Sequence, residues 1–186
     1  MDAAAASFAK EDTRPLRLYF QDEARFGRMQ NPVRCWAPEG FRPSVKLQRV
    51  REYTHVYSAV CPIDGDSFSL ILPYANTDMM SIFLREFSEY SLNYRIVMVM
   101  DGAAWHKAKK LELFDNIRII YQPPHSPEVN PVEHLWEHLR EKYFRNGFWP
   151  TMDKLENDLT NALVEVSKSK ETIKNLAGFY WAIFND

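Results

Sequence analysis

A mixed α/β sheet covered by helices is the architecture this sequence predicts, and three observations carry the prediction. Three β-rich runs come first, LRLYFQ at 16–21, YTHVYSAVCP at 53–62 and SFSLILP at 67–73, and their succession reads as an antiparallel meander. Helical and extended patterns then alternate around two apolar runs, RIVMVM at 95–100 and IRIIY at 117–121; an unbroken apolar run is how a strand buried on both faces reads. Helical periodicity fills the remainder.

Taken in order, residues 1–15 are alanine-rich and then charged up to Pro15, so they read as a short N-terminal tail with little to bury, ahead of one domain over 16–186. LRLYFQ runs into Asp22 and Glu23, which places these acids at the end of the first strand. Residues 28–50 are rich in proline and arginine and have no clean period, the composition of a long excursion from a sheet. Asp64 and Gly65 supply a hairpin turn between the second and third strands. Thr77 is expected to cap a helix whose apolar positions Met80, Phe83, Leu84 and Phe87 recur at helical spacing. RIVMVM ends at Asp101 and Gly102, so a second acid ends a second strand. Helices are expected over 105–114, 131–144, 152–166 and 172–184.

Composition bounds the function. One sizeable core is available to 186 residues. Cys35 and Cys61 are too few for a disulfide framework and lack the paired spacing of a zinc site, which favours a reducing, cytoplasmic setting. No apolar run approaches the ~20 residues of a membrane helix, and the start lacks the basic-then-apolar pattern of a secretory signal. A net charge of -2 gives no bulk attraction to nucleic acid, although basic residues cluster in RPSVKLQRVR and KAKK.

The stretch PPHSPEVNPVEHLW, 123–136, is the most informative. Asn130, Pro131 and Glu133 fit the N-cap, first and third positions of a helix. On a helical wheel Val132, Leu135, Trp136, Leu139 and Tyr143 share one side, and Glu133 falls at its border, able to face a cleft. Pro123, Pro124 and Pro127 stiffen the connection that delivers it. Taken alone, Glu133 reads first as a capping-box residue reaching back to the Asn130 amide. Beside Asp22 and Asp101 it makes three acids that are costly to hold together unless cations neutralise them. Oxygen ligands suit Mg²⁺ or Mn²⁺, whose open positions take phosphate oxygens.

QDEARFG (21–27), CWAPEGFRP (35–43), VMDGAAWH (99–106) and PPHSPEVNPVEHLW recur in this order, with thirty-one residues between Asp101 and Glu133. In this the sequence resembles DDE transposases, specifically bacterial insertion-sequence transposases of the mariner superfamily, over residues 16–145. The resemblance implies a ribonuclease-H-like fold, with a mixed five-stranded sheet and helices on both faces. It implies that Asp22, Asp101 and Glu133 are catalytic acids holding two Mg²⁺ (or Mn²⁺) ions for cleavage and strand transfer at element ends. The target is commonly TA, an easily deformed step. It further implies DNA partners, element ends and target, and a homodimer assembled on DNA. Family members place helix-turn-helix domains ahead of the catalytic domain, whereas about fifteen residues precede the first strand here; this reads as a catalytic part whose DNA-binding region is removed, encoded separately or lost. His125 stands where a tyrosine is usual, and Gly102 where asparagine is frequent.

His106 matches the family's histidine and is placed at phosphate or against a carboxylate, with a backbone-satisfied helix-start histidine as the alternative. Arg42, Lys46, Arg49 and Lys107 are candidate DNA-backbone contacts, against solvated basic surface; Arg51, Lys109 and Lys110 belong to the same clusters. His134 and His138, spaced like zinc ligands, project away from the buried side. Glu23 points opposite to Asp22 by strand alternation and reads as structural or as a supporting group. Two rivals stand beside the transposase reading: a catalytically silent remnant that binds DNA or a transposase partner, and a nuclease cutting RNA in hybrids.

Overall fold

The computed structural model describes residues 2–29, 32–108, 110–123 and 129–179. The order is α1 (Asp2–Ala5), β1 (Leu16–Met29), β2 (Arg49–Val60), β3 (Ser67–Leu72), α2 (Thr77–Tyr90), β4 (Arg95–Met100), β5 (Ile117–Tyr121), α3 (Val132–Lys142), α4 (Met152–Lys168) and α5 (Lys170–Ala177). The five strands form one mixed sheet in the order β3-β2-β1-β4-β5. β1, β2 and β3 are the antiparallel meander, and β4 and β5 add parallel to β1.

Alternation along β1 sorts side chains into two layers. Leu18, Phe20, Ala24 and Phe26 face a core shared with α3, α4 and α5. Tyr19 faces the other layer, where Met80, Phe83, Leu84 and Phe87 of α2 are buried against Tyr57, Ile96 and Met98. Each such ring or aliphatic chain contributes about 1.5–3 kcal/mol by leaving water. The hairpin between β2 and β3 turns at Gly65, whose φ is +71°, and a Cβ there would meet the Lys170 carbonyl oxygen at 2.1 Å; both the conformation and the close approach require glycine.

Five expectations change. β1 does not stop at Gln21 but continues to Met29, because Asp22–Gly27 keep pairing with β2 after β4 has ended; a long antiparallel partner sustains the strand through its acids. The helix expected over 105–114 is replaced by turns among the described residues, since side-chain bonds to Asp101 and Glu23 claim Trp105 and His106. Asn76, not Thr77, caps α2, its side chain accepting from the Met79 amide at 2.9 Å. The lead-in contributes Phe8 to the core, capped by the Arg118 guanidinium 4.4 Å above its ring. The closing helix starts at Lys170 and ends at Ala177; residues 180–184 of that expectation lie outside the described residues.

Candidate active site

The β1–β4 ladder ends with the pair Phe20–Val99, and Asp22 and Asp101 each follow it by two residues, Asp22 within β1 and Asp101 just past the end of β4. Their side chains then part. Asp22 faces the α3 layer, where its Oδ2 accepts from the Trp136 indole N–H at 2.8 Å. Burial drives the Asp22 carboxyl up to about 7; the Trp136 bond opposes this, and the negative charges of Glu23 and Glu133 add to it. Glu133 is therefore within electrostatic reach of Asp22, half-buried in the first turn of α3.

The start of α3 is pinned to β1 beside these acids. Asn130, buried, donates from Nδ2 to the Gln21 carbonyl at 3.1 Å and accepts the Val132 amide on Oδ1 at 3.2 Å. Pro131 occupies the position before the helix. The expected capping geometry is thus shifted by one residue: Asn130 uses its side chain to hold two elements together, and the Glu133 amide reaches the Asn130 backbone carbonyl. Of the stiffening prolines, Pro124 and Pro127 lie outside the described residues, as does His125.

Asp101 belongs to a second constellation. Its side chain is 52% exposed; its Oδ1 accepts from the Ala103 amide at 3.0 Å and lies 2.7 Å from His106 Nδ1 as an ion pair, while the hydrogen bond of that nitrogen is to the Asp101 backbone carbonyl at 3.0 Å. His106 is buried; its other nitrogen, Nε2, meets Glu23 Oε1 at 2.8 Å. Trp105 Nε1 donates to the same Glu23 oxygen at 3.4 Å. Burial pulls the His106 pKa down, but the bond and charge of Glu23, with Asp101, outweigh it and the net direction is up. His106 thus lies between the Glu23 and Asp101 carboxylates and is also held by the Asp101 backbone carbonyl.

Among the described residues no three His, Cys, Asp or Glu side chains stand together closely enough to enclose a metal ion. Asp22 and Glu133 share one layer, while the Asp101 carboxylate leans to His106. The donor chemistry nevertheless fits a hard divalent cation: the acids offer only oxygen, and among the described residues no Lys or Arg pairs with Asp22, Glu133 or Asp101. Lys107, exposed, holds its Nζ 5.1 Å from the Tyr121 ring centre and so close to Gly102 that a Cβ there would meet it at 2.6 Å. Arg42 and Lys46 lie exposed on the excursion and Arg49 opens β2. The ends of that excursion are tied to the α3–α4 connection, through Val33 to Asn146 and Gln48 to Trp149. Lys109 is outside the described residues. His134 is exposed beside the Phe179 ring, but His138 is half-buried with Nε2 unpartnered, so α3's outer side is not wholly solvated.

Two participants escaped the sequence reading. Trp136 reads as core by periodicity, and nothing in the pattern shows that its N–H reaches Asp22; a buried tryptophan in need of an acceptor was the available signal. Trp105 was placed in a helix rather than against Glu23.

A family model described as DDE superfamily endonuclease matches residues 17–156. An uncharacterised protein of Sinorhizobium fredii is 35% identical over 104 residues, covering 55% of this chain and 77% of that protein. An uncharacterised 39 kDa protein of insertion element IS630 from Shigella sonnei is 30% identical over 94 residues, covering 44% of this chain and 27% of its own length. Among solved structures, the Mos1 transposase paired-end complex with the left transposon end is similar with a TM-score of 0.58 at 14% identity, over 88% of this chain and 56% of that chain. The sheet is that of the ribonuclease-H-like fold, as the motifs implied.

Proposed function

This chain belongs to the DDE superfamily endonucleases, and from that premise we propose that it is the catalytic domain of a bacterial insertion-sequence transposase. In this reading it cuts DNA at the ends of its element and joins those ends to target DNA, working as two copies assembled on DNA. The observation that carries the reading is Asp22: a half-buried carboxyl, raised to about 7 by burial and by neighbouring Glu23 and Glu133, that follows the end of the β1–β4 ladder as Asp101 does and has an indole N–H rather than a cation for its partner. Uncompensated buried negative charge of this kind calls for a bound cation. Support comes also from Mos1, which was solved in a strand transfer complex and in paired-end complexes with Mn and with Mg.

Asp22, Asp101 and Glu133 are the residues to hold two Mg²⁺ or Mn²⁺ ions. Bound there, the ions supply Lewis-acid activation of a water or DNA 3′-hydroxyl and neutralise the leaving oxygen of the phosphodiester. The chain's own residues set the stage. Trp136 fixes Asp22 by its indole N–H, and Asn130 fixes the start of α3, so Glu133 is delivered with little freedom. Lys107, beside Gly102 at the end of β4, would meet a DNA phosphate, and Arg42, Lys46 and Arg49 would extend that basic surface.

The test is cleavage of a duplex carrying the element end, in Mg²⁺ and in Mn²⁺, by the wild type and by Asp101→Ala. Asp101 is half-exposed, so the variant should keep its melting temperature and lose about a thousandfold or more in rate, the equivalent of several kcal/mol of transition-state stabilisation. Normal cleavage by Asp101→Ala would sink the assignment. A catalytically silent domain that binds DNA or a transposase partner is the second reading, favoured by the Asp101 carboxylate being engaged by His106. Calorimetry that detects no Mn²⁺ binding would select it.

A further inference from the structure

Resting on the reading of Asp101 as a metal-holding acid, we propose that Glu23 is a positioning residue of the site, acting on Asp101 through the His106 ring. Glu23 is the neighbour of Asp22 in sequence and faces the opposite layer. Its side chain is 8% exposed and that of His106 1%, so both have been taken out of water. A buried ion pair is poor value as a stabiliser, since desolvation offsets most of the attraction. Among the described residues Glu23 meets no Lys or Arg; its donors are His106 Nε2 at 2.8 Å and Trp105 Nε1 at 3.4 Å.

What the pair accomplishes is to fix one ring. With Nε2 held by Glu23, Nδ1 is aimed at Asp101, 2.7 Å from Oδ1 and 3.0 Å from the backbone oxygen. Both of those atoms accept, so Nδ1 carries the proton. The Tyr121 hydroxyl donates to the His106 carbonyl at 2.6 Å and ties the turn to β5. Asp101 would otherwise be a half-exposed side chain with free rotation at a strand end. Its Oδ1 accepts the Ala103 amide and stands 2.7 Å from the His106 Nδ1, whose hydrogen bond holds the backbone carbonyl of the same residue, while Oδ2 has no partner among the described residues and is left to a cation. Outer hydrogen bonds that orient a metal ligand are worth about 10–100-fold in affinity or activity. β1 thereby serves both layers: Asp22 directly, and Asp101 at one remove.

The experiment is calorimetric titration of the purified chain with Mn²⁺, alongside melting temperatures, for wild type, Glu23→Ala, Glu23→Gln, His106→Ala and the double alanine variant. Glu23→Ala and His106→Ala should each weaken Mn²⁺ binding about 10–100-fold, and the double variant no further than either, because the two act in series. Glu23→Gln keeps an oxygen for the Nε2 proton and should restore most of the affinity; a loss equal to that of Glu23→Ala overturns the hydrogen-bonded hold. A purely structural role predicts lower melting temperatures with wild-type Mn²⁺ affinity, and that result also overturns the proposal. Should Glu23→Ala fail to fold, His106→Ala and Glu23→Gln decide on the same criteria. Asp101→Ala separates the two levels. If it retains Mn²⁺ affinity, the underlying assignment of Asp101 has failed and the proposal with it; if it loses affinity while His106→Ala does not, only the positioning role has failed.

Discussion

Asp22 and Glu23 are adjacent in β1, both withdrawn from water, and they meet opposite fates. Asp22, on the α3 side, is withdrawn from water with only neutral donors, the Trp136 indole and the Glu23 amide, and with like charges nearby, so its carboxyl is pushed up to about 7. Glu23, on the α2 side, meets an imidazole whose own pKa is raised, and a second indole. The strand treats them alike, and only the partners differ. An acid buried without a compensating cation marks a place where the protein leaves a charge to be supplied from outside, and an acid buried with one marks internal scaffolding.

Replacing the uncompensated acid tests that contrast most severely. Asp22→Asn should lower DNA cleavage about a thousandfold or more, as expected for loss of several kcal/mol of metal-assisted stabilisation. It should also make the metal-free fold more stable in alkaline solution. The sign follows from linkage: Asp22 binds its proton more tightly folded, at about 7, than its ordinary value of 3.8, so its contribution is best below pH ~4, declines as pH rises toward 7, and is a constant penalty above. Asparagine removes a penalty of roughly 3–4 kcal/mol at pH 8 and almost nothing at pH 4. Denaturant titrations at the two pH values measure it. Glu23→Gln should show no such gain; if both variants gain equally, the contrast between the two faces is wrong.

That contrast was half legible in the sequence. Alternation along a strand puts Asp22 and Glu23 on opposite faces, and the apolar runs at 95–100 and 117–121 announced β4 and β5, which end near the acids. The periodicity of Met80, Phe83, Leu84 and Phe87 likewise announced the face of α2 that is buried. What periodicity does not encode is which donor reaches which acceptor across layers. Trp136 and Asp22 are 114 residues apart, and Glu23 and His106 are 83 apart. The turn at 104–106 replaced an expected helix for the same reason: its shape is set by Glu23 and Asp101, not by its own residues' propensities. The end of β1 was misread because pairing with β2, a tertiary fact, overrides the arrival of two acids.

A finer probe is the donor itself. Trp136→Phe keeps the aromatic packing against Phe26 and deletes the N–H that Asp22 accepts. That bond lowers the Asp22 pKa, so its loss sends the carboxyl further up and costs the ionised fold about 1–3 kcal/mol at pH 8, with less lost at pH 5, where the carboxyl is protonated. Trp105→Phe, which deletes the longer 3.4 Å bond to Glu23, should cost under about 1 kcal/mol because His106 still serves that acid. Equal costs would mean that Glu23 depends on its indole as Asp22 does.

The smallest stability effect is expected at Lys107, on the surface between the two constellations. Its ammonium lies 5.1 Å from the Tyr121 ring and against Gly102, an exposed contact, so Lys107→Ala should change folding stability by no more than about 0.5 kcal/mol. Its value lies in charge. The neighbouring carboxylate of Asp101 is half-exposed and repels an approaching phosphodiester, and a cation at the end of β4 offsets that repulsion where the backbone must pass. If Lys107 meets a phosphate, its loss weakens binding to any duplex and reduces the slope of log affinity against log salt by about one. Titrations at several salt concentrations read that slope, and an unchanged slope would leave Lys107 as surface charge, with the phosphate contacts to be sought at Arg42, Lys46 and Arg49.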